Sequence, residues 1–227
     1  MVGRNIRYGG KGFAGKREAT TERFHMIPKD LHLLGKRIEL QPLDLRHAAD
    51  LFAEGNDDRI WEYTTRPNLF TSLESTVEYI KLARHGDPYC PDGIPFAIVE
   101  RKPGKAIGCT RYFDISERNR RLEIGWTWIG HGHWRTSTNT ECKMLLLQFA
   151  FEVAGVVRVQ FRANAANERS RKAIIRLGAV YEGTLRSYSI TRSQIRDTTV
   201  YSILNTEWPQ VKRRLEALLE GTSSASL

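Results

Sequence analysis

After the apolar run Leu122–Ile129 the chain enters a short polar loop, HGHWRTSTNT, and leaves it in an apolar helix, ECKMLLLQFAFEVA. Strand, polar loop and helix N-terminus together form a geometry that binds phosphate. The first turn of a helix carries backbone N–H groups without intrahelical partners, and the helix dipole places partial positive charge there. Arg135 adds a full charge, and Thr136, Ser137, Thr138 and Thr140 add hydroxyl donors. Asn139 is a strong N-cap residue, which puts Glu141 and Cys142 in the first turn. The same residue types also serve a helix that is merely capped, so the loop alone does not establish an anion site. His131 and His133 flank Gly132. Such a pair can ligate metal or act as a base, but no third ligand is identifiable, and capping or packing explains it more simply.

The 227 residues and 41% hydrophobic content suit one domain with a sizeable core. No apolar run approaches the roughly 20 residues of a membrane span, and the N-terminus does not read as a secretory signal. Cys90, Cys109 and Cys142 are far apart and form neither a metal motif nor a disulfide frame. A reducing cytoplasm is therefore the expected compartment. The net charge is +9, and residues 1–29 hold seven basic residues against Glu18 and Glu22. Such a balance favours an anionic partner: nucleic acid, an anionic surface or a polyanionic cofactor.

Residues 1–29 read as a Gly-rich basic extension, residues 30–220 as the folded domain and residues 221–227 as a frayed tail. Within the domain, Leu31–Leu43 is expected to be a strand. Asp44 caps a helix to about Glu54, and Ser72 caps another to Arg84. Phe96–Glu100, Ala106–Asp114 and Arg121–Ile129 are strands. In the third, Leu122, Ile124, Trp126 and Trp128 alternate with Glu123, Gly125 and Thr127, which predicts one apolar and one polar face. A buried helix spans Asn139–Ala154, its polar residues confined to a stripe of Glu141, Gln148 and Glu152. A strand at Arg158–Ala163, a helix at Asn167–Leu177, an antiparallel pair at Val180–Ile190 and Thr198–Leu204, and a helix at Glu207–Leu219 complete it.

This order, with the polar loop ahead of its helix, resembles the GCN5-related N-acetyltransferase (GNAT) superfamily, in the branch of the ribosomal-protein N-terminal (RimJ/RimL-like) acetyltransferases. Four segments carry the resemblance over about residues 31–219: Leu122–Trp126, Trp134–Glu141, Asn167–Ser170, and Arg176–Ala179 with Glu182-Gly183. It implies an α+β fold of three layers, with a mixed central sheet of about seven strands and helices on both faces. The usual Gln/Arg-x-x-Gly-x-Gly/Ala loop is replaced here, with Trp134, Ser137 and Asn139 at its three fixed positions.

The resemblance further implies acetyl-CoA as co-substrate, no metal, and direct attack of a primary amine on the thioester. Trp134, Arg135, Thr136, Ser137, Thr138, Asn139 and Thr140 would hold the diphosphate. Asn167 would hold the pantetheine arm and Arg171 the outer phosphate. Glu123 would take the proton of the attacking amine. A tyrosine that protonates the leaving thiol in related enzymes is replaced by Ile174, which leaves Ser170 as the substitute. The acceptor would lie against Trp61, Tyr63 and Tyr188, with Glu62, Glu123 and Glu182 supplying negative charge. It is a protein N-terminus or a small amine, handled by a monomer or homodimer. Two other readings fit the sequence: a catalytically weak acyl-CoA sensor, and a protein that contacts RNA or the ribosome through residues 1–29.

Overall fold

The computed structural model describes residues 27–64, 68–88, 90–191 and 193–221. Of the extension, residues 1–26 lie outside the described residues, as do residues 222–227 of the tail. Ile27 and Leu31 are already packed into the main core.

One eight-stranded sheet organises the molecule. Its strands are β1 (Leu33–Leu34), β2 (Ile38–Pro42), β3 (Ile94–Glu100), β4 (Ala106–Ser116), β5 (Arg121–Ile129), β6 (Arg158–Asn164), β7 (Val180–Thr191) and β8 (Gln194–Leu204). The spatial order is β1-β2-β3-β4-β5-β6-β8-β7. Every neighbouring pair is antiparallel except β5 and β6. The eighth strand arises because the expected first strand folds back at Gly35–Arg37 into β1 and β2.

The helices are α1 (Ala48–Gly55), α2 (Asp58–Trp61), α3 (Leu73–His85), α4 (Thr138–Glu152), α5 (Glu168–Leu177) and α6 (Trp208–Gly221). Their starts follow local chemistry. Asp44 caps the 3-10 turn ahead of α1 by accepting from Arg46 N, and Ser72 and Ser75 form a reciprocal capping box at α3. Gly178 ends α5 in the left-handed conformation at φ 106°. The short α2 lies between the two helices expected on either side of it, where no element was expected from sequence.

Strand alternation divides the core in two. On one face Leu40, Phe96, Ile98, Tyr112, Leu122 and Ile124 pack with Leu146 and Leu147 of α4 and with α6. On the other, Ala97, Val99, Cys109 and Trp128 pack with Leu51, Trp61, Phe70, Tyr79 and Ile80 of the α1–α3 layer. Parallel strands need a long crossover, and α4 supplies it between β5 and β6. The loop before α4 is thereby fixed at one end of these two strands.

Candidate active site

The parallel pairing of β5 with β6 covers three positions, Arg121↔Arg158, Leu122↔Val159 and Glu123↔Gln160. Beyond Glu123 the strands part. β6 continues along β8, while β5 continues along β4. At the same point β5 bulges. Gly125 faces Arg111 and Trp128 faces Cys109, so Trp126 and Thr127 stand against the single residue Thr110, and Trp126 takes φ 51°. The bulge breaks the alternation expected from sequence. Leu122 and Ile124 enter the α4 core, Trp128 enters the opposite one, and Thr127 turns toward α4. Gly125, Trp126 and Thr127 are half-buried between wholly buried neighbours, so a slot opens along this edge of β5.

Glu123 stands at the head of the slot and is 3% exposed. Its Oε2 is 2.6 Å from Arg162 Nε and accepts from Gln160 Nε2 at 2.9 Å. Oε1 takes no donor among the described residues and lies 3.6 Å from where a Cβ on Gly125 would be. The carboxylate therefore keeps one oxygen free over the half-buried glycine. Burial raises its pKa, while Arg162 and Gln160 oppose that rise. Arg162 also donates to Tyr188 Oη and stacks over the Phe113 and Tyr188 rings.

The polar loop closes the far end. His131–His133 form a 3-10 turn, and Trp134 donates from Nε1 to Ile129 O at 2.8 Å. Arg135 adopts φ 62°, a left-handed conformation that ordinarily favours glycine. The N-cap of α4 is Ser137 rather than Asn139, because the helix already starts at Thr138. Ser137 makes no capping bond, since its Oγ accepts from the Arg37 guanidinium instead. Thr136 Oγ1 donates to His133 O, and Arg176 donates to Thr140 Oγ1 at 2.9 Å. Asn139 is half-buried, and Thr138 is buried beside Thr136. Glu141 leaves the helix surface altogether: its Oε1 accepts from the backbone N–H groups of Lys36 and Arg37 and pins the β1–β2 turn to α4.

Arg37, Arg135 and Arg176 thus surround a helix N-terminus whose N-cap side chain makes no capping bond; Thr136 Oγ1 accepts from Thr138 N at 3.3 Å, and the next N–H groups meet no side-chain acceptor among the described residues. Arg135 is exposed and has no hydrogen bond or ion pair among the described residues. Uncapped N–H groups, buried hydroxyls and three guanidiniums are a donor set for a diphosphate, and the residues present fit the coenzyme implied by the sequence.

From across the slot comes α5. Asn167 is its N-cap, accepting from Ser170 N at 3.0 Å. Ser170 is half-buried. Arg171 donates internally, to Ala165 O at 3.0 Å and to Tyr201 Oη at 3.3 Å. Sequence reading missed its neighbour Arg169. The Arg169 guanidinium lies 3.5 Å above the Trp134 ring and ties α5 to the loop before α4.

The acceptor-side residues divide. Trp61 is core, not wall: it is 5% exposed, stacks on Phe70 at 5.0 Å and donates to Gly55 O at 2.7 Å. Its aromatic neighbours Phe70 and Trp128 claim it, which spacing in an irregular stretch could not reveal. Tyr63 lies beside Glu62, whose carboxylate raises the phenol pKa. Both line a cleft of about 480 Å³ with Asn164–Ala166 and Gln194–Asp197. Tyr188 lines a second cleft, of about 760 Å³, with Thr184–Ser187 and Asp197. Glu182 is committed to Arg158 and Ser202. His133 sits 3.4 Å from Glu100, and no group of three metal ligands occurs among the described residues. All three cysteines are buried and free, with burial pushing Cys90 up to about 11 and Cys109 up to about 12.

Comparison with known proteins agrees with this geometry. A family model described as an acetyltransferase (GNAT) domain matches residues 37–180. YoaA of Bacillus subtilis (strain 168), named an uncharacterized N-acetyltransferase, is 27% identical over 170 residues, which are 74% of this chain and 93% of that protein. YdaF of the same organism, provisionally named a ribosomal N-acetyltransferase, is 30% identical over 105 residues, 46% of this chain and 57% of that protein. The crystal structure of a GCN5-related N-acetyltransferase from Brucella melitensis superposes with a TM-score of 0.79 at 26% identity, covering 85% of this chain and 86% of that one.

Proposed function

The chain belongs to the acetyltransferase (GNAT) family, and from that premise we propose that it moves an acetyl group from acetyl-CoA to a primary amine by direct attack. One observation carries the reading. Glu123 sits where β5 and β6 part, with Oε2 held by two donors and Oε1 left without one. A buried carboxylate with a raised pKa and one open oxygen is suited to accept a proton from an amine.

In this scheme the amine nitrogen uses its lone pair to form the new C–N bond, and Glu123 Oε1 takes its proton. The C–S bond breaks with its pair on sulfur. The sulfur gains a proton from water by way of the Ser170 hydroxyl, at the start of α5. Arg135, Ser137, Asn139 and Thr140, with Arg37 and Arg176, bind the diphosphate, and Asn167 lies beside the pantetheine arm. The acceptor enters past Tyr63 and Tyr188. Glu62 and Asp197 line those clefts and suit a cationic amine. A protein N-terminus is the acceptor we favour over a small amine, on the likeness to YdaF.

Two variants test the reading. Glu123→Gln keeps the shape and removes the base, so kcat falls by about 10²-fold or more while acetyl-CoA affinity holds. Arg135→Ala with Asn139→Ala removes calorimetric binding of acetyl-CoA. Failure of the wild type to bind acetyl-CoA, or full activity in Glu123→Gln, sinks the proposal.

A further inference from the structure

Lys143 is 5% exposed in the second turn of α4, in a helix whose buried side reads as apolar in sequence. Its Nζ donates to Thr127 Oγ1 at 2.5 Å and faces Thr110 Oγ1 at 3.4 Å. Thr110 and Thr127 are 2.8 Å apart. Among the described residues no carboxylate lies within ion-pair distance of this lysine, and Glu141, the acid nearest in sequence, is turned away onto the β1–β2 turn. A buried charge is ordinarily paired, because desolvation costs several kcal/mol. Here two hydroxyls take the place of a carboxylate.

The position explains what such a charge can do. Thr127 belongs to the bulged segment of β5 beyond its last pair with β6 and is half-buried, whereas Lys143 and Thr110 are sealed behind it. Thr127 is the boundary between the open slot and the buried ammonium. A hydroxyl has two lone pairs and one proton. When Lys143 and Thr110 both donate to Thr127 Oγ1, both lone pairs are used, and the Thr127 proton is held only by a long contact to Gly125 O at 3.4 Å, which an acceptor on the open side can displace. The adjacent ammonium polarises that O–H and makes it a stronger donor.

We propose that Thr127, backed by Lys143, is the hydrogen-bond donor to the acyl oxygen of the bound thioester and to the oxyanion that oxygen becomes on attack. The inference rests on the acetyl-transfer reading above. As the amine lone pair forms the C–N bond, the carbonyl π pair moves onto oxygen. As the intermediate collapses the pair returns, and the C–S pair leaves with sulfur. No proton moves to or from Lys143; its charge is fixed in place before the negative charge develops. Such preorganised charge stabilises the transition state more than the ground state. Burial lowers the Lys143 pKa, and the developing oxyanion offsets that unfavourable desolvation.

Isotope-edited infrared spectroscopy of acetyl-CoA labelled with ¹³C at the thioester carbonyl reads the contact without turnover. Bound to the wild type, the labelled carbonyl band moves to lower frequency than in solution. Thr127→Val and Lys143→Met return it toward the solution value, and Thr127→Ser retains the shift. Acetyl-CoA affinity stays within about threefold in all three, and kcat falls by about 10²-fold in the first two, as on removal of an oxyanion donor. Thr127→Val is close to isosteric, and a thermal melt verifies that each variant is folded. A carbonyl band at the same frequency in wild type, Thr127→Val and Lys143→Met overturns this inference and leaves the acetyl-transfer reading standing. No saturable binding of acetyl-CoA by the wild type overturns both.

Discussion

Arg162 Nε lies 2.6 Å from Glu123 Oε2, so the residue proposed as base is also half of an ion pair. Two effects compete at Glu123. Burial is the larger and raises its pKa; Arg162 lowers it. Removing Arg162 leaves only the Gln160 hydrogen bond to oppose the rise. Arg162→Met therefore moves the acidic limb of the kcat/KM profile to higher pH than in the wild type, while the same substitution far from the slot leaves it in place. A pH profile of both proteins over the acidic to neutral range checks this. An unmoved limb means that Glu123 is not the group whose ionisation the rate follows.

Trp61 is a structural residue, and its replacement reads out as stability. Its ring packs against both Phe70 and Trp128, and its indole N–H is satisfied inside the fold by Gly55 O. Trp61→Ala opens a cavity and costs about 3–5 kcal/mol. Trp61→Phe keeps most of the packing, costs less, and leaves the KM for the amine unchanged. Urea denaturation of both variants, with amine kinetics on the second, measures the two effects. A raised amine KM in Trp61→Phe at full stability would return Trp61 to the acceptor site.

The elements were legible from sequence because their signals are local. Ser72, Asn167 and Gly178 end or start helices by their own side chains or backbone freedom, and the structure uses them so. The polar loop and Glu123 were legible through residue type and order. What escaped depends on contacts distant in sequence. The bulge at Trp126 reverses the facing of Thr127, and strict alternation cannot register one extra residue. Ser137 stands at the N-cap in place of Asn139 yet makes no capping bond, because Arg37, about a hundred positions earlier, engages its hydroxyl. Glu141, placed on a solvent stripe by helical period, is instead buried by two backbone N–H groups of the β1–β2 turn. Lys143 passed unnoticed because one lysine in an apolar helix resembles a snorkelling surface residue.

The arginines near α4 separate binding from folding. Arg135 is exposed and without an internal partner among the described residues, so Arg135→Ala changes stability by no more than about 0.5 kcal/mol. Arg176 ties α5 to the first turn of α4 through Thr140, so Arg176→Ala lowers stability as well. Both weaken acetyl-CoA roughly tenfold, the loss expected for one charge-assisted hydrogen bond. The loss shrinks at high salt, because exposed charges are screened. Calorimetry at two ionic strengths, with denaturation curves, distinguishes the two variants. Unchanged affinity in Arg135→Ala would remove that residue from the diphosphate site.

Lys143 has the opposite signature, a residue that costs stability. Burial lowers its pKa in the folded chain, whereas the unfolded chain holds the ordinary lysine value of about 10.4. Between the two values the unfolded state keeps a proton that the folded state has given up. Wild-type stability therefore gains with rising pH across that window and carries the full penalty below it. Lys143→Met has no such term. At pH 7 it is the more stable protein, by on the order of 1–3 kcal/mol, and its advantage narrows as pH rises toward the lysine range. Cys90, Cys109 and Tyr79, with raised pKa values, titrate in both proteins and cancel in the difference; Cys142 does not, because the Lys143 charge opposes its burial, so its pKa rises further in the variant and narrows the advantage at high pH in the same direction. Urea denaturation of the pair at pH 7 and pH 9.5 measures it. A variant more stable yet far slower in acetyl transfer marks Lys143 as kept for chemistry; a variant less stable at both pH values marks it as a packing residue and removes the electrostatic role argued for it.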